Sequence, residues 1–159
     1  MSKTLRYISV SHKTASTIQR EKYHISELEK ETLTQLICKT FPDISALFIL
    51  ATCNRTEIYF ESETTSTAHM IEILNSFKSI KEYNIENELF LSSDVTKPSI
   101  HHLLEVSSGL KSLVFGDAEI ISQIKKAHQF SMLHKLQGSL LERALQAVFK
   151  THKRLSLIH

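Results

Sequence analysis

The chain has 159 residues, 42% hydrophobic and 23% charged, with a formal net charge of +2 and two cysteines. This balance fits a single globular domain or two small subdomains; it argues against a disulfide scaffold, the charge is too small to argue for nucleic acid on its own, and no apolar run approaches the roughly 18 residues of a membrane span. Three glycines, at 109, 116 and 138, leave no GxGxxG or GxxxxGK loop for a nucleotide phosphate, and the opening residues lack an apolar signal segment, so the chain reads as cytoplasmic.

In chain order, Leu5 to Val10 reads as a first strand. Ser26 and Glu29 have capping-box spacing and open a helix running toward Thr40, which Pro42 closes. Ala46 to Ala51 is a short apolar run of the kind expected of a buried strand. Arg55 to Phe60 alternates polar and apolar positions, the period of a half-buried strand, and pairs with the preceding run as a hairpin. After a polar link over residues 61–67, Met70, Ile73, Leu74 and Phe77 recur at helical spacing, and Leu89 to Leu91 reads as a weak last strand. Strand, helix, strand, strand, helix, strand predicts an α+β fold of the ferredoxin-like, split βαβ sandwich type.

A helical subdomain is expected from residue 96, giving soft units of 1–95 and 96–159. Pro98 suits the first turn of a helix and Gly109 its end. Asp117 is placed to cap a helix carrying Ile120, Ile121, Ile124 and Ala127, and Ser139 with Glu142 has capping-box spacing before Leu145 and Val148.

The candidate chemistry lies where the apolar strand gives way to the alternating one, at Thr52-Cys53-Asn54-Arg55-Thr56-Glu57. If the chain is already extended there, Cys53, Arg55, Glu57 and Tyr59 share a face, and a guanidinium beside the thiol favours the thiolate. The planar fork of Arg55 equally suits the carboxylate of an acidic substrate. From spacing alone, a buried, inert cysteine beside an Arg55–Glu57 surface pair stays open, and the shared-face argument fails if Cys53 sits in the turn itself. Cys38 has no motif around it. The histidines show no HxxxH spacing, so no metal site is expected; His101 and His102, adjacent on a helix, are not expected to face one pocket. Asp117 and Glu119 read as acids at a helix N-terminus and Ser112 as a loop serine.

These residues resemble the N-terminal catalytic domain of glutamyl-tRNA reductase over nearly the whole chain. The resemblance is carried by Ser11-His12-Lys13-Thr14-Ala15 with Arg20-Glu21, by Ala51-Thr52-Cys53-Asn54-Arg55-Thr56-Glu57-Ile58-Tyr59, and by His102-Leu103 through Val106-Ser107-Ser108-Gly109-Leu110 to Gly116-Asp117 and Gln123 to Ala127. It implies that Cys53 attacks the ester of glutamyl-tRNA to form a thioester, which NADPH reduces to glutamate-1-semialdehyde in tetrapyrrole (porphyrin) synthesis. It further implies that Thr52, Arg55, Ser112, Asp117 and Glu119 line the glutamate pocket, and that His102 is the site histidine, orienting substrate or moving a proton. No metal is implied.

The sequence departs from the family pattern at Ser11 for asparagine, Ser16 for proline, Asp117 for glutamate and Glu119 for glutamine. The family continues into an NADPH-binding domain and a dimerisation domain, and the chain ends before both, so thioester formation and its hydrolysis are expected of it without reduction. Glutamyl-tRNA is the implied partner, glutamate-1-semialdehyde aminotransferase a second; a monomer is expected here and a homodimer for full-length relatives. Two other readings remain open: a module binding tRNA or protein without chemistry, and a thiol esterase acting on another acidic acyl group.

Overall fold

The computed structural model describes residues 2–81, 87–109 and 119–158. Four strands, β1 (Thr4–Ser11), β2 (Ala46–Ala51), β3 (Arg55–Ser62) and β4 (Leu91–Ser93), form one antiparallel sheet in the order β2-β3-β1-β4. That order, with a helix crossing between β1 and β2 and another between β3 and β4, is the split βαβ arrangement expected from the sequence. The register sets Ser11 opposite Arg55, Ser9 opposite Glu57 and Tyr7 opposite Tyr59.

Helices α1 (Thr17–Tyr23), α2 (Glu27–Thr40) and α3 (Thr67–Phe77) accompany the β1–β3 part of the chain. Ile8, Val10, Leu47, Ile49, Ile58 and Phe60 meet Tyr23, Leu33, Ile37, Met70 and Leu74 in one core. The opposite sheet face carries Leu5, Tyr7, Phe48, Leu50 and Tyr59, and it packs on α4 (Thr96–Ser107), α5 (Ile120–Leu133) and α6 (Ser139–Ile158) through Leu103, Val106, Ile124, Leu141, Leu145 and Val148. Both faces of the sheet are therefore covered.

That double cover corrects the reading of residues 55–60 as a half-buried strand: every residue of β3 is buried. The polar members of its alternation face a helix layer, where their charges must find partners rather than water. Two boundaries move as well. β4 lies at Leu91–Ser93, while Leu89 falls in a one-turn 3-10 helix with its side chain buried, so the apolar residue taken to begin the strand packs just ahead of it. The polar link shortens because β3 continues through Ser62.

The capping box at Ser26 forms with Glu29 as predicted, and a second one, Ser16 with Gln19, starts the unpredicted α1. Ser16 is one of the departures from the family pattern, and its hydroxyl accepts from the Gln19 N–H, a capping role that proline has no side-chain oxygen to fill. Pro98 lies in the first turn of α4, and Gly109, at φ +74°, follows its last turn, the left-handed position where glycine carries no Cβ penalty. The capping box expected at Ser139 is replaced: Ser139 is already helical, the Glu142 carboxylate pairs with His128 at 3.0 Å, and the Leu141 N–H donates to Glu61 of β3 at 2.9 Å. Asp117, assigned as a cap for α5, lies outside the described residues.

Asp43, just before β2, fastens the link between β3 and α3. Its carboxylate accepts from the Thr64 N–H at 3.0 Å and hydroxyl at 3.1 Å, and from the Thr65 N–H at 2.9 Å and hydroxyl at 2.5 Å. Burial opposes ionisation of Asp43, but the bonds from Thr65 and Thr64 outweigh it and hold the carboxyl far below its usual range. With the folded pKa below the unfolded one, this contribution is complete above the unfolded value of about 3.9 and is lost as the pH falls toward the folded one. Asp43→Asn is therefore expected to lower the melting temperature at pH 7 and to flatten its decline between pH 5 and pH 2. Parallel melting curves for the two proteins across that range would refute the assignment.

Candidate active site

Thr52, Cys53 and Asn54 form the turn between β2 and β3. Three hydrogen bonds hold it: the Thr52 N–H donates to the Arg55 carbonyl at 2.8 Å, the Asn54 N–H to the Thr52 hydroxyl at 3.2 Å, and the His12 N–H to the Asn54 carbonyl at 3.2 Å. The last ties the turn to the loop after β1. Cys53 is exposed at its tip, while Asn54 and Arg55 on its C-terminal side are buried. The inert, buried cysteine weighed from spacing does not describe Cys53. Cys38 fits that description better: it is half-buried, and burial pushes its thiol pKa up.

Because Cys53 belongs to the turn, the strand alternation that groups Arg55, Glu57 and Tyr59 does not extend to it, and the shared-face argument for the thiol fails. The other three do share a face, and their common centre is Glu57. Its side chain is fully buried. Oε2 accepts from the Ser9 hydroxyl at 2.6 Å and from Arg55 Nη1 at 3.4 Å, and lies 2.7 Å from His102 Nε2; Oε1 accepts from the Tyr59 hydroxyl at 2.8 Å. Burial alone would raise the Glu57 pKa, but the hydrogen bond and charge of His102, the charge of Arg55 and the Ser9 bond outweigh it, and the carboxyl sits below its usual range. Its negative charge acts in turn on the phenols: Tyr59 is raised well above its ordinary value and Tyr7 is raised too, in each case first by burial and then by Glu57.

The Arg55–Glu57 pair is thus real but buried, not the surface pair considered from the sequence. A buried carboxylate with a guanidinium, an imidazole and two hydroxyls around it is satisfied; breaking a buried ion pair of this kind costs about 3–5 kcal/mol in typical cases.

His102 comes from α4, which lies across this face of the sheet. Its ring stacks on Tyr7 with centroids 4.2 Å apart and planes 11° apart, so its orientation is set by packing as well as by Glu57. Tyr7, Lys97, Pro98, His101, His102 and Glu105 line an open cleft of about 410 Å³. The expectation that His101 and His102 cannot face one pocket is corrected here. The cleft is wide enough to touch both, His102 as part of its buried wall and His101 at its exposed rim.

Of the seven candidate residues, the structure joins Arg55 and His102 through Glu57 and sets Thr52 and Cys53 on the adjoining turn. Glu119 is exposed at the N-cap of α5 and makes no side-chain cap bond. Ser112 and Asp117 lie outside the described residues. Glu57 was not among the candidates, nor were Ser9 and Tyr7; the available signal was the alternation of β1 against β3, which becomes informative only once the register is known. Among the described residues no group of three His, Cys, Asp or Glu side chains is arranged to hold a metal ion, and no helix is long and apolar enough to cross a membrane.

Residues 8–157 match the family model described as "Glutamyl-tRNAGlu reductase, N-terminal domain". The chain belongs to the glutamyl-tRNA reductase family. It is 36% identical over 154 residues to a glutamyl-tRNA reductase of Cytophaga hutchinsonii, covering 97% of this chain and 36% of that protein. With a glutamyl-tRNA reductase of Acaryochloris marina it shares 31% identity over 149 residues, covering 92% and 34%. The chain therefore spans about a third of the length of these relatives. The solved structure of glutamyl-tRNA reductase from Methanopyrus kandleri superposes with a TM-score of 0.71 at 21% identity over 95% of this chain and 35% of that one, a likeness of fold. What the glutamyl-tRNA reductase N-terminal domain contributes here is an α+β sheet sealed on both faces, with one exposed thiol at the end of its buried polar row.

Proposed function

We propose that this domain performs the acyl-transfer half of a glutamyl-tRNA reductase reaction, with Cys53 as nucleophile. The Cys53 sulfur attacks the ester carbonyl carbon of glutamyl-tRNA; a carbon–sulfur bond forms, the bond to the terminal ribose oxygen breaks, and the proton lost by the thiol ends on that oxygen. The thioester carbonyl is more electrophilic than the ester it replaces. Thr52 and Arg55 hold the glutamyl group, with Ser112, Asp117 and Glu119 completing the pocket, and His102 assists. The α+β part, residues 1–95, carries the thiol, and the helical part, residues 96–159, supplies His102.

The single observation that carries this reading is the exposure of Cys53 on a turn held at three points, in a chain of the reductase family. An exposed thiol on a braced turn can meet a bulky acyl donor without the fold having to open.

In the full reaction NADPH supplies a hydride that takes the thioester to glutamate-1-semialdehyde, the precursor directed to tetrapyrrole synthesis in the cytoplasm. The sheet is antiparallel throughout the described residues, unlike the parallel sheet of a doubly wound dinucleotide fold, and the chain's three glycines make no phosphate loop. No step of this chain is assigned to that cofactor.

The test is a single turnover of the purified chain with glutamyl-tRNA, quenched in acid and read by peptide mass spectrometry. A hydroxylamine-labile glutamyl group on the Cys53 peptide is the expected result. Deacylated tRNA without an adduct would point to hydrolysis by another route, and neither product would favour a domain that only binds.

A further inference from the structure

The Glu57 cluster contains more order than the acyl-transfer reading uses. Glu57 is ionised and fully buried, and an ionised carboxylate only accepts hydrogen bonds. The 2.7 Å contact between its Oε2 and His102 Nε2 therefore requires the proton to be on Nε2. Rotation of the ring is opposed by its stack on Tyr7, and rotation of the carboxylate by the hydroxyls of Ser9 and Tyr59. Each of these four side chains is buried.

We infer that Glu57 is a positioning residue for acyl transfer: by holding the Nε2–H edge of His102 it makes Nδ1 the nitrogen through which that ring gains and gives up a proton. The proton that leaves the Cys53 thiol and ends on the ribose oxygen passes through Nδ1, directly or by way of water, and the ring finishes as it began. Glu57 touches neither substrate nor thiol in this scheme; it acts through His102, as the carboxylate behind a catalytic imidazole does in other folds.

Glu57→Gln is the discriminating variant. It keeps the shape of the side chain, but an amide can donate to Nε2 as well as accept from it, so the tautomer is no longer fixed. Long-range proton–nitrogen NMR of the nitrogen-labelled chain, with the His102 signal identified among the nine histidines by its loss in His102→Gln, is expected to show the Nε2–H form in the parent. In Glu57→Gln it should show the other tautomer or a mixture.

Single-turnover thioester formation by Glu57→Gln should be slower by about tenfold or more. Glu57→Asp, which restores the carboxylate, should recover part of the rate and of the Nε2–H form. Asp43→Asn, weakened at a distant link, should keep the parental rate. An Nδ1–H ring in the parent protein, or a parental rate in Glu57→Gln, would overturn the inference. If Glu57→Gln does not fold, the parental tautomer and the Glu57→Asp rate decide.

The inference rests on the acyl-transfer reading, but the two fail separately. Absence of a Cys53 adduct in the parent chain sinks that reading, whereas the ring tautomer is measured without any substrate.

Discussion

Cys53→Ser is expected to abolish the hydroxylamine-labile glutamyl adduct while leaving the melting temperature almost unchanged. The first half follows from nucleophilicity: a serine hydroxyl is essentially un-ionised at neutral pH, and among the described residues no base is held against the turn by a hydrogen bond of residue 53. The second half follows from exposure. The three bonds that hold the turn involve the backbone of residues 12, 52, 54 and 55 and the Thr52 hydroxyl, none of which the substitution alters. An exposed, nearly isosteric change of this kind falls within about 0.5 kcal/mol. Thermal melts and single-turnover assays of the same two preparations would separate the outcomes. A full-strength adduct in Cys53→Ser would move the nucleophile elsewhere, and a large fall in stability would mean that the cysteine is a structural residue after all.

The features that were legible in the sequence are those decided by a few neighbouring residues. Ser26 and Glu29 cap α2 through contacts three residues apart, and Pro98 and Gly109 bracket α4 through their own backbone preferences. The hairpin of β2 and β3 was legible for the same reason. Helix α1 was not, because only Tyr23 of its seven residues is buried and a helix that short shows no apolar stripe. The last strand was displaced by two residues because Leu89, its strongest apolar member, packs into the core from the preceding turn.

Glu57 shows where a single sequence stops being informative. Its neighbours Ser9 and His102 are 48 and 45 residues away, and no local pattern announces either contact. A polar residue in an alternating strand ordinarily means solvent, so the row Arg55, Glu57, Tyr59 reads as a surface until α4 is known to cover it. The same row carries the candidate site, since the charges of a sheet face sealed by helices must find partners in the protein rather than in water. Cys53 was singled out by motif rather than by geometry: the strand periodicity that was meant to bring it beside Arg55 ends at the turn.

Gly138→Ala is expected to cost about 2–4 kcal/mol, an order-of-magnitude sum of overpacking and a weakened helix cap. A Cβ at position 138 would run into the Glu61 carboxylate and would stand 2.7 Å from the Ala46 Cβ. The Ala46 Cβ is fixed to the edge of the sheet and cannot retreat. Glu61 could turn aside only by releasing the Leu141 N–H that it holds at the start of α6, and its side chain is buried against the helix with nowhere open to go. For a domain of this length the loss corresponds to a fall in melting temperature of roughly 4–16 °C. Glu61→Ala alone should cost less, about 1–2 kcal/mol for the lost cap. Combined with Gly138→Ala it should give a deficit smaller than the sum of the two, because the carboxylate half of the clash is gone. Strict additivity in that cycle would show that Glu61 is not what crowds position 138, and that the glycine is needed only for its approach to β2.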